Sequence, residues 1–207
     1  MILRNITRDV FLKNVMRNMS EARSFEYDFV YQCLCKLDVN TILDFGCRES
    51  NLANYLAKLG YESYGIDINV YQHPSFNFIR ANIFEYDFKM EFDMIIAIST
   101  IEHIGLPFYG QKVIDSNGDI HAMQRLNKYL KKYFIVTAPS GKFVFAKDFA
   151  RTYDHNRLKM LSEGFNIITE EYYGKMKDVW RKTDKETADK FCSVFALLLE
   201  KMEEKVR

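Results

Sequence analysis

Residues Leu43–Ile68 read LDFGCRESNLANYLAKLGYESYGIDI, and this stretch decides the fold. A short apolar run ends in Asp44 and turns through Gly46, where backbone can approach a ligand closely. Leu52, Tyr55, Leu56 and Leu59 then recur at helical spacing, and Gly60 falls where a C-terminal cap belongs. A second apolar run ends in Asp67. The two aspartates are 67 − 44 = 23 residues apart, near the ~20 that separate a glycine turn from a ribose-binding acid in a strand-helix-strand unit. A carboxylate at the end of the second strand can accept hydrogens from both ribose hydroxyls at once, which no neutral side chain does as well. Asp67 is therefore the natural ribose ligand.

Outward from this unit the pattern continues as short apolar runs separated by crossovers, the mark of parallel strands in an α/β fold. The strand candidates are TILDF (Thr41–Phe45), ESYGIDI (Glu62–Ile68), FNFIRAN (Phe76–Asn82), FDMIIAIS (Phe92–Ser99) and YFIVTAP (Tyr133–Pro139). NVYQHPS is too short for a helix and carries Pro74, which predicts a turn. The segment TIEHIGLPFYGQKVIDSNGDI holds three glycines and a proline, so it reads as a long loop before a helix at about Asp119–Leu130. Ligands in open α/β sheets bind beyond the carboxyl ends of the strands, and long loops there tend to be functional, so Gly105–Gly118 is expected to be a substrate lid. A helix is expected near Asp154–Glu163, a strand at Asn166–Tyr173, and a solvated charged stretch at Lys175–Lys190 anchored by Trp180. CSVFALLLE is a buried strand or a helix, and periodicity does not choose. The chain divides into an N-terminal helical arm, 1–40, and one domain, 41–207.

Composition narrows the function. The 207 residues are 48% hydrophobic and 28% charged, enough for one core, and the net charge of +1 provides no field for nucleic acid or anionic lipid. Cys33, Cys35, Cys47 and Cys192 form no C-x-x-C pair, so neither a zinc ribbon nor a disulfide scaffold is expected. No stretch reaches the ~18 apolar residues of a membrane span. A cytoplasmic protein without a metal ion is expected.

LDFGC, GIDI and FDMIIAISTIEHIG resemble the first, second and fourth motifs of class I S-adenosylmethionine-dependent methyltransferases, in the family's order and spacing, and the resemblance runs from about Tyr27 to the end. IEHIGLPFYGQKVIDSNGDIHAM, TAPSGK and RTYDHNRLKML further resemble a subgroup linked to surface-carbohydrate or small-metabolite pathways. The resemblance implies a single doubly wound, mostly parallel seven-stranded sheet, with CSVFALLLE as an antiparallel strand, and S-adenosylmethionine as cofactor. It makes Asp44 and Gly46 the floor under the methionine moiety, puts Asp67 on the ribose and Ile68 on adenine, and counts Asn82, Ile83, Ser99 and Cys47 with the cofactor set. Arg48 and Ser50 stand where the family has further glycines. Either the loop runs differently with Arg48 turned outward, or the cation weakens binding of a sulfonium.

For catalysis the candidates are Glu102 and His103, with His103 as general base for an acceptor hydroxyl or amine. Tyr109, Asp115 and Asp119 suit a hydroxylated acceptor, although Asp119 also fits as the cap of the following helix. Arg151 and Tyr153 are candidates for an anionic group on the acceptor. The function implied is methyl transfer to oxygen or nitrogen of a small polar acceptor, with carbohydrate as one class. The rivals are an RNA or protein methyltransferase and a cofactor-binding module without turnover.

Overall fold

The structure is a computed structural model and describes residues 6–16, 20–109, 114–142, 144–146, 149–190 and 192–203. Two helices come first, α1 (Arg8–Val15) and α2 (Glu21–Lys36), capped by the side chains of Thr7 and Ser20. Then follow β1 (Thr41–Phe45), α3 (Leu52–Lys58), β2 (Glu62–Asp67), β3 (Asn77–Arg80) and β4 (Phe92–Ile98). The chain continues through α4 (Gly118–Asn127), β5 (Leu130–Ser140), β6 (Val144–Ala146), β7 (Ala150–Thr152) and α5 (His155–Leu161). It closes with β8 (Phe165–Met176), β9 (Val179–Thr183), α6 (Lys185–Ala188) and β10 (Ser193–Lys201).

Eight strands form one sheet in the order β3-β2-β1-β4-β5-β10-β8-β9. The first five run parallel, and β10 enters antiparallel between β5 and β8. CSVFALLLE is thus a strand, flanked on both sides, which is why it is apolar throughout. The sheet has eight strands rather than the expected seven because Val179–Thr183 pairs with Tyr172–Met176. This strand lies within the stretch expected to be a solvated charged face. Its exposed edge position lets VWRKT stay largely polar, and Trp180 does pack onto the core. The β6–β7 hairpin forms a separate two-stranded sheet.

Alternation along the central strands sorts the core into two layers. Leu43, Ile95, Phe134, Val136 and Phe195 face α4 and α5, whereas Ile42, Met94, Ile96, Ile135 and Leu198 face α1, α2 and α3. α2 lies on this second face, with Phe29, Val30 and Leu34 buried there. Strand order reverses direction at β1, between β2 and β4, and a crevice opens beyond the carboxyl ends of these strands.

Candidate functional site

A cleft open to solvent occupies that crevice. Asp44, Gly46, Asp67, Ile68, Asn82, Ile83, Ser99, His103 and Tyr109, all expected at the site, line it together. Cys47, Glu102 and Asp119 are not among its walls.

The first turn explains the departures at Arg48 and Ser50. Gly46 takes φ +78°, and a Cβ there would lie 2.3 Å from Thr100 Cγ2, so glycine is required twice over. Cys47–Glu49 form one 3-10 turn, and no positive φ falls on Arg48. Arg48 stays on the cleft wall, with its guanidinium 3.4 Å from Glu49 and its side chain nearly half exposed. Ser50 is buried, and its hydroxyl accepts the Leu52 amide at the start of α3. Cys47 points inward: a Cβ on Gly65 would meet its Sγ at 2.8 Å. That packing takes the thiol away from the cofactor set to which the resemblance assigned it.

Two carboxylates meet at this turn. Asp44 is buried at the end of β1 and its Oδ2 has no hydrogen-bond partner. Burial, and then the nearby charge of Asp67, push its carboxyl up to about 7, against hydrogen bonds from the Ala53 backbone and Ser50. Asp67 accepts the Asn69 amide on Oδ1 (2.8 Å) and the Arg48 amide on Oδ2 (3.2 Å). Each of its oxygens keeps a second lone pair for a ligand. Burial raises its carboxyl above the usual range while these amides pull it down. Asn82 lines the cleft, but its Oδ1 is engaged by the Phe84 amide in a local turn.

At the end of β4, Ser99 adopts φ +42°, a strained conformation for a residue with a side chain. Its hydroxyl donates to Glu26 Oε1 at 2.6 Å, and Thr137 donates to the same oxygen at 2.6 Å. Glu26 is buried on α2, and its Oε2 pairs with Arg23. Arg23 also donates to the Ile98 carbonyl and lines the cleft together with Tyr27. No motif in the sequence points to these two residues. Helical spacing marks α2 as a helix, but nothing local marks which face meets the cleft.

His103 closes a 3-10 turn (Ile101–His103) after β4. Its Nδ1 lies 2.6 Å from the Phe149 carbonyl. Its ring sits against Phe149 and Tyr109, with centroids 4.7 and 5.0 Å away. Burial lowers its basicity, with the charges of Arg23 and Arg151 adding to the effect and the Phe149 hydrogen bond opposing it. Glu102 turns the other way. It is 2% exposed, its Oε2 has no partner, and its Oε1 stands 3.8 Å from His103 Nε2. Burial pushes its carboxyl up to about 8. Glu102 therefore lies behind the wall rather than on it.

Asp119 is fully buried in a bidentate pair with Arg157, and Arg151 Nε stands 3.6 Å from it. This ion cluster locks the start of α4 to the start of α5, which corrects the expectation of an acceptor-binding acid. Arg151 and Tyr153 are likewise fully buried, not poised for an anionic group in the cleft. Asp115 binds His121 at 2.6 Å on the surface. The loop expected to act as a lid is pinched at its base, where the Asp115 amide donates to the Gly105 carbonyl; residues 110–113 lie outside the described residues. Among the described residues no cluster of His, Cys, Asp and Glu could hold a metal ion, and no helix is long and apolar enough to cross a membrane.

The parallel sheet with its antiparallel β10 and this crevice is the fold of S-adenosylmethionine-dependent methyltransferases. Such an enzyme from Archaeoglobus fulgidus superposes with a TM-score of 0.62 at 16% identity, covering 88% of this chain and 95% of its own. One from Clostridium acetobutylicum gives 0.61 at 15%, covering 89% and 93%. The N-methyltransferase NodS from Bradyrhizobium japonicum, in complex with S-adenosyl-L-homocysteine, gives 0.58 at 13%, covering 87% of each. In sequence, the chain belongs to the family described as Caenorhabditis protein of unknown function, DUF268, whose profile matches residues 74–201. No curated protein matches it in sequence.

Proposed function

We propose that the chain is an S-adenosylmethionine-dependent methyltransferase acting on oxygen or nitrogen of a small polar acceptor, with a hydroxylated, carbohydrate-like molecule as one class. The observation that carries this reading is the shared cleft, whose wall Asp44, Asp67 and His103 line together. The residues fit the cofactor. The unpartnered Asp44 Oδ2 suits an ammonium group, Asp67 suits a pair of ribose hydroxyls, and Ile68 and Ile83 give an apolar slot for a base. The glycine at position 46 leaves backbone bare where a Cβ would collide with Thr100.

S-adenosylmethionine, when bound, supplies an electrophilic methyl group on a sulfonium. The chain's part is to hold the acceptor in line and remove its proton. Because a carbonyl oxygen can only accept, the contact with Phe149 makes His103 Nδ1 the donor, and Nε2 is the basic nitrogen. The lowered basicity of His103 keeps the ring neutral at physiological pH, ready to take the acceptor's proton.

Calorimetry with S-adenosylhomocysteine tests the reading. The wild type should bind it, and Asp67→Ala should stay folded and lose about 1.5–3 kcal/mol of affinity, the scale of a hydrogen bond to a charged group. A folded variant with unchanged affinity refutes the assignment of Asp67, and absence of wild-type binding refutes the methyltransferase reading.

A further inference from the structure

We infer that the segment from Phe149 through β7 is a positioning element for His103: the Phe149 carbonyl fixes which ring nitrogen carries the proton, and the Arg151 guanidinium fixes the backbone on both sides of the histidine. The functional consequence rests on the reading of His103 as the base, whereas the geometry does not.

A fully buried guanidinium is expensive to desolvate, and Arg151 offsets the cost with both of its terminal nitrogens on main-chain carbonyls. Arg151 does not spend them chiefly on a carboxylate. Its Nη1 donates to the carbonyls of Glu102 (3.2 Å) and Ile104 (2.7 Å), the residues immediately before and after His103. Its Nη2 donates to the carbonyls of Asp115 (2.8 Å) and Ser116 (3.4 Å), where the long loop returns. The planar fork holds these carbonyls at fixed mutual angles, which a lysine ammonium on a flexible stem cannot do. Arg157 reinforces the return, with Nη1 on Asn117 Oδ1 and Nη2 on the Ser116 carbonyl. Asp119 sits between the two arginines and balances one of their charges.

Two residues before Arg151, the chain presents the Phe149 carbonyl to His103 Nδ1 and packs the Phe149 ring on the imidazole. One short segment therefore sets the ring's protonated nitrogen, its tilt and the path of the main chain that carries it. The charged and titratable groups around His103 come from each neighbouring element: Glu102 from its own turn, Tyr109 from the next, Arg23 from α2 and Arg151 from β7. The two arginines disfavour an imidazolium and the carbonyl favours one, so the carbonyl's part is to set the tautomer and the arginines' is to keep the ring neutral.

Long-range 1H–15N spectra of the full chain read the tautomer directly. There are only four histidines, and the His103 signals are those lost in His103→Gln. The expected result is the Nδ1–H form in the wild type at neutral pH, retained in Phe149→Ala because the contact is made by backbone. Arg151→Lys keeps the charge but loses the fork, and the ratio of Nδ1–H to Nε2–H should fall about tenfold. An Nε2–H tautomer in the wild type overturns the inference, and so does an unchanged ratio in folded Arg151→Lys. Should that variant not fold, the wild-type Arg151 guanidinium protons still decide its part. Resolved, slowly exchanging signals support it, and rapidly averaged ones overturn it. S-adenosylhomocysteine titrated into the same samples separates the two claims. Binding with the wrong tautomer sinks the positioning role alone, and the right tautomer without binding sinks the methyltransferase reading alone.

Discussion

Glu102→Gln should make the protein more stable, and only above a defined pH. An ordinary glutamate titrates near 4.5, whereas burial holds this carboxyl up to about 8 in the folded protein. Between those values the folded state keeps a proton that the unfolded chain has released, so wild-type stability falls as pH rises, at up to about 1.4 kcal/mol per pH unit. Below 4.5 both states are protonated and the effect vanishes. Integrated over the whole window the loss would approach about 5 kcal/mol in a rigid interior. Relaxation and water entry reduce it to about 2 kcal/mol. Glutamine mimics the neutral acid and does not titrate. The variant and the wild type should melt together at pH 4.5 and separate progressively, with the variant higher by roughly 4–8 °C at pH 8. Asp44 titrates with the same sign, but both proteins carry it, so it cancels in the difference. Thermal melts of the two proteins from pH 4 to 9 provide the test. A difference that does not vary with pH, or that shrinks as pH rises, would refute a buried, neutral Glu102.

Gly46→Ala should lower the melting temperature and abolish measurable S-adenosylhomocysteine binding by calorimetry, since the left-handed backbone adds roughly 1–2 kcal/mol and the new methyl collides with Thr100. Asp119→Ala leaves two buried guanidinium groups uncompensated and should destabilise by about 3–5 kcal/mol in denaturant melts, while affinity per folded molecule stays at the wild-type value because Asp119 is not on the cleft wall. His103→Gln should keep cofactor affinity but reduce methylation of an identified acceptor by roughly 10²–10⁴. The wild type's acidic limb in the rate-pH profile should fall below the ordinary histidine value of 6.5, because burial lowers the pKa of this base, and the variant should lack that limb.

The parts legible in the sequence are those in which one segment carries the whole signal. Leu43–Ile68 contains two strands, the helix between them and the turn residue, so its fold and the placement of Asp44, Gly46 and Asp67 can be read without knowing any neighbour. Asp119 shows the opposite case. Its partner Arg157 lies 38 residues away, and a carboxylate after a glycine looks the same whether it caps a helix, binds a ligand or fills a buried ion cluster. Glu26 and Arg23 were invisible for a similar reason, since their partners Ser99, Thr137 and Ile98 come from strands far along the chain. β9 reads as a charged surface because an edge strand with one exposed side has no need of apolar alternation.

The hydroxyls of Ser99 and Thr137 converge on a carboxylate supplied by α2, so the N-terminal helices act as a keystone rather than a fringe. Take them away and three things fail together: Ile42, Ile96 and Ile98 lose their cover, the bent end of β4 loses the acceptor that holds its strained turn, and the crevice loses the wall that carries Arg23 and Tyr27. A protein engineer trimming this chain to its α/β core would therefore obtain a sticky sheet with an unformed pocket. Fusions or tags are better placed ahead of α1 than between α2 and β1.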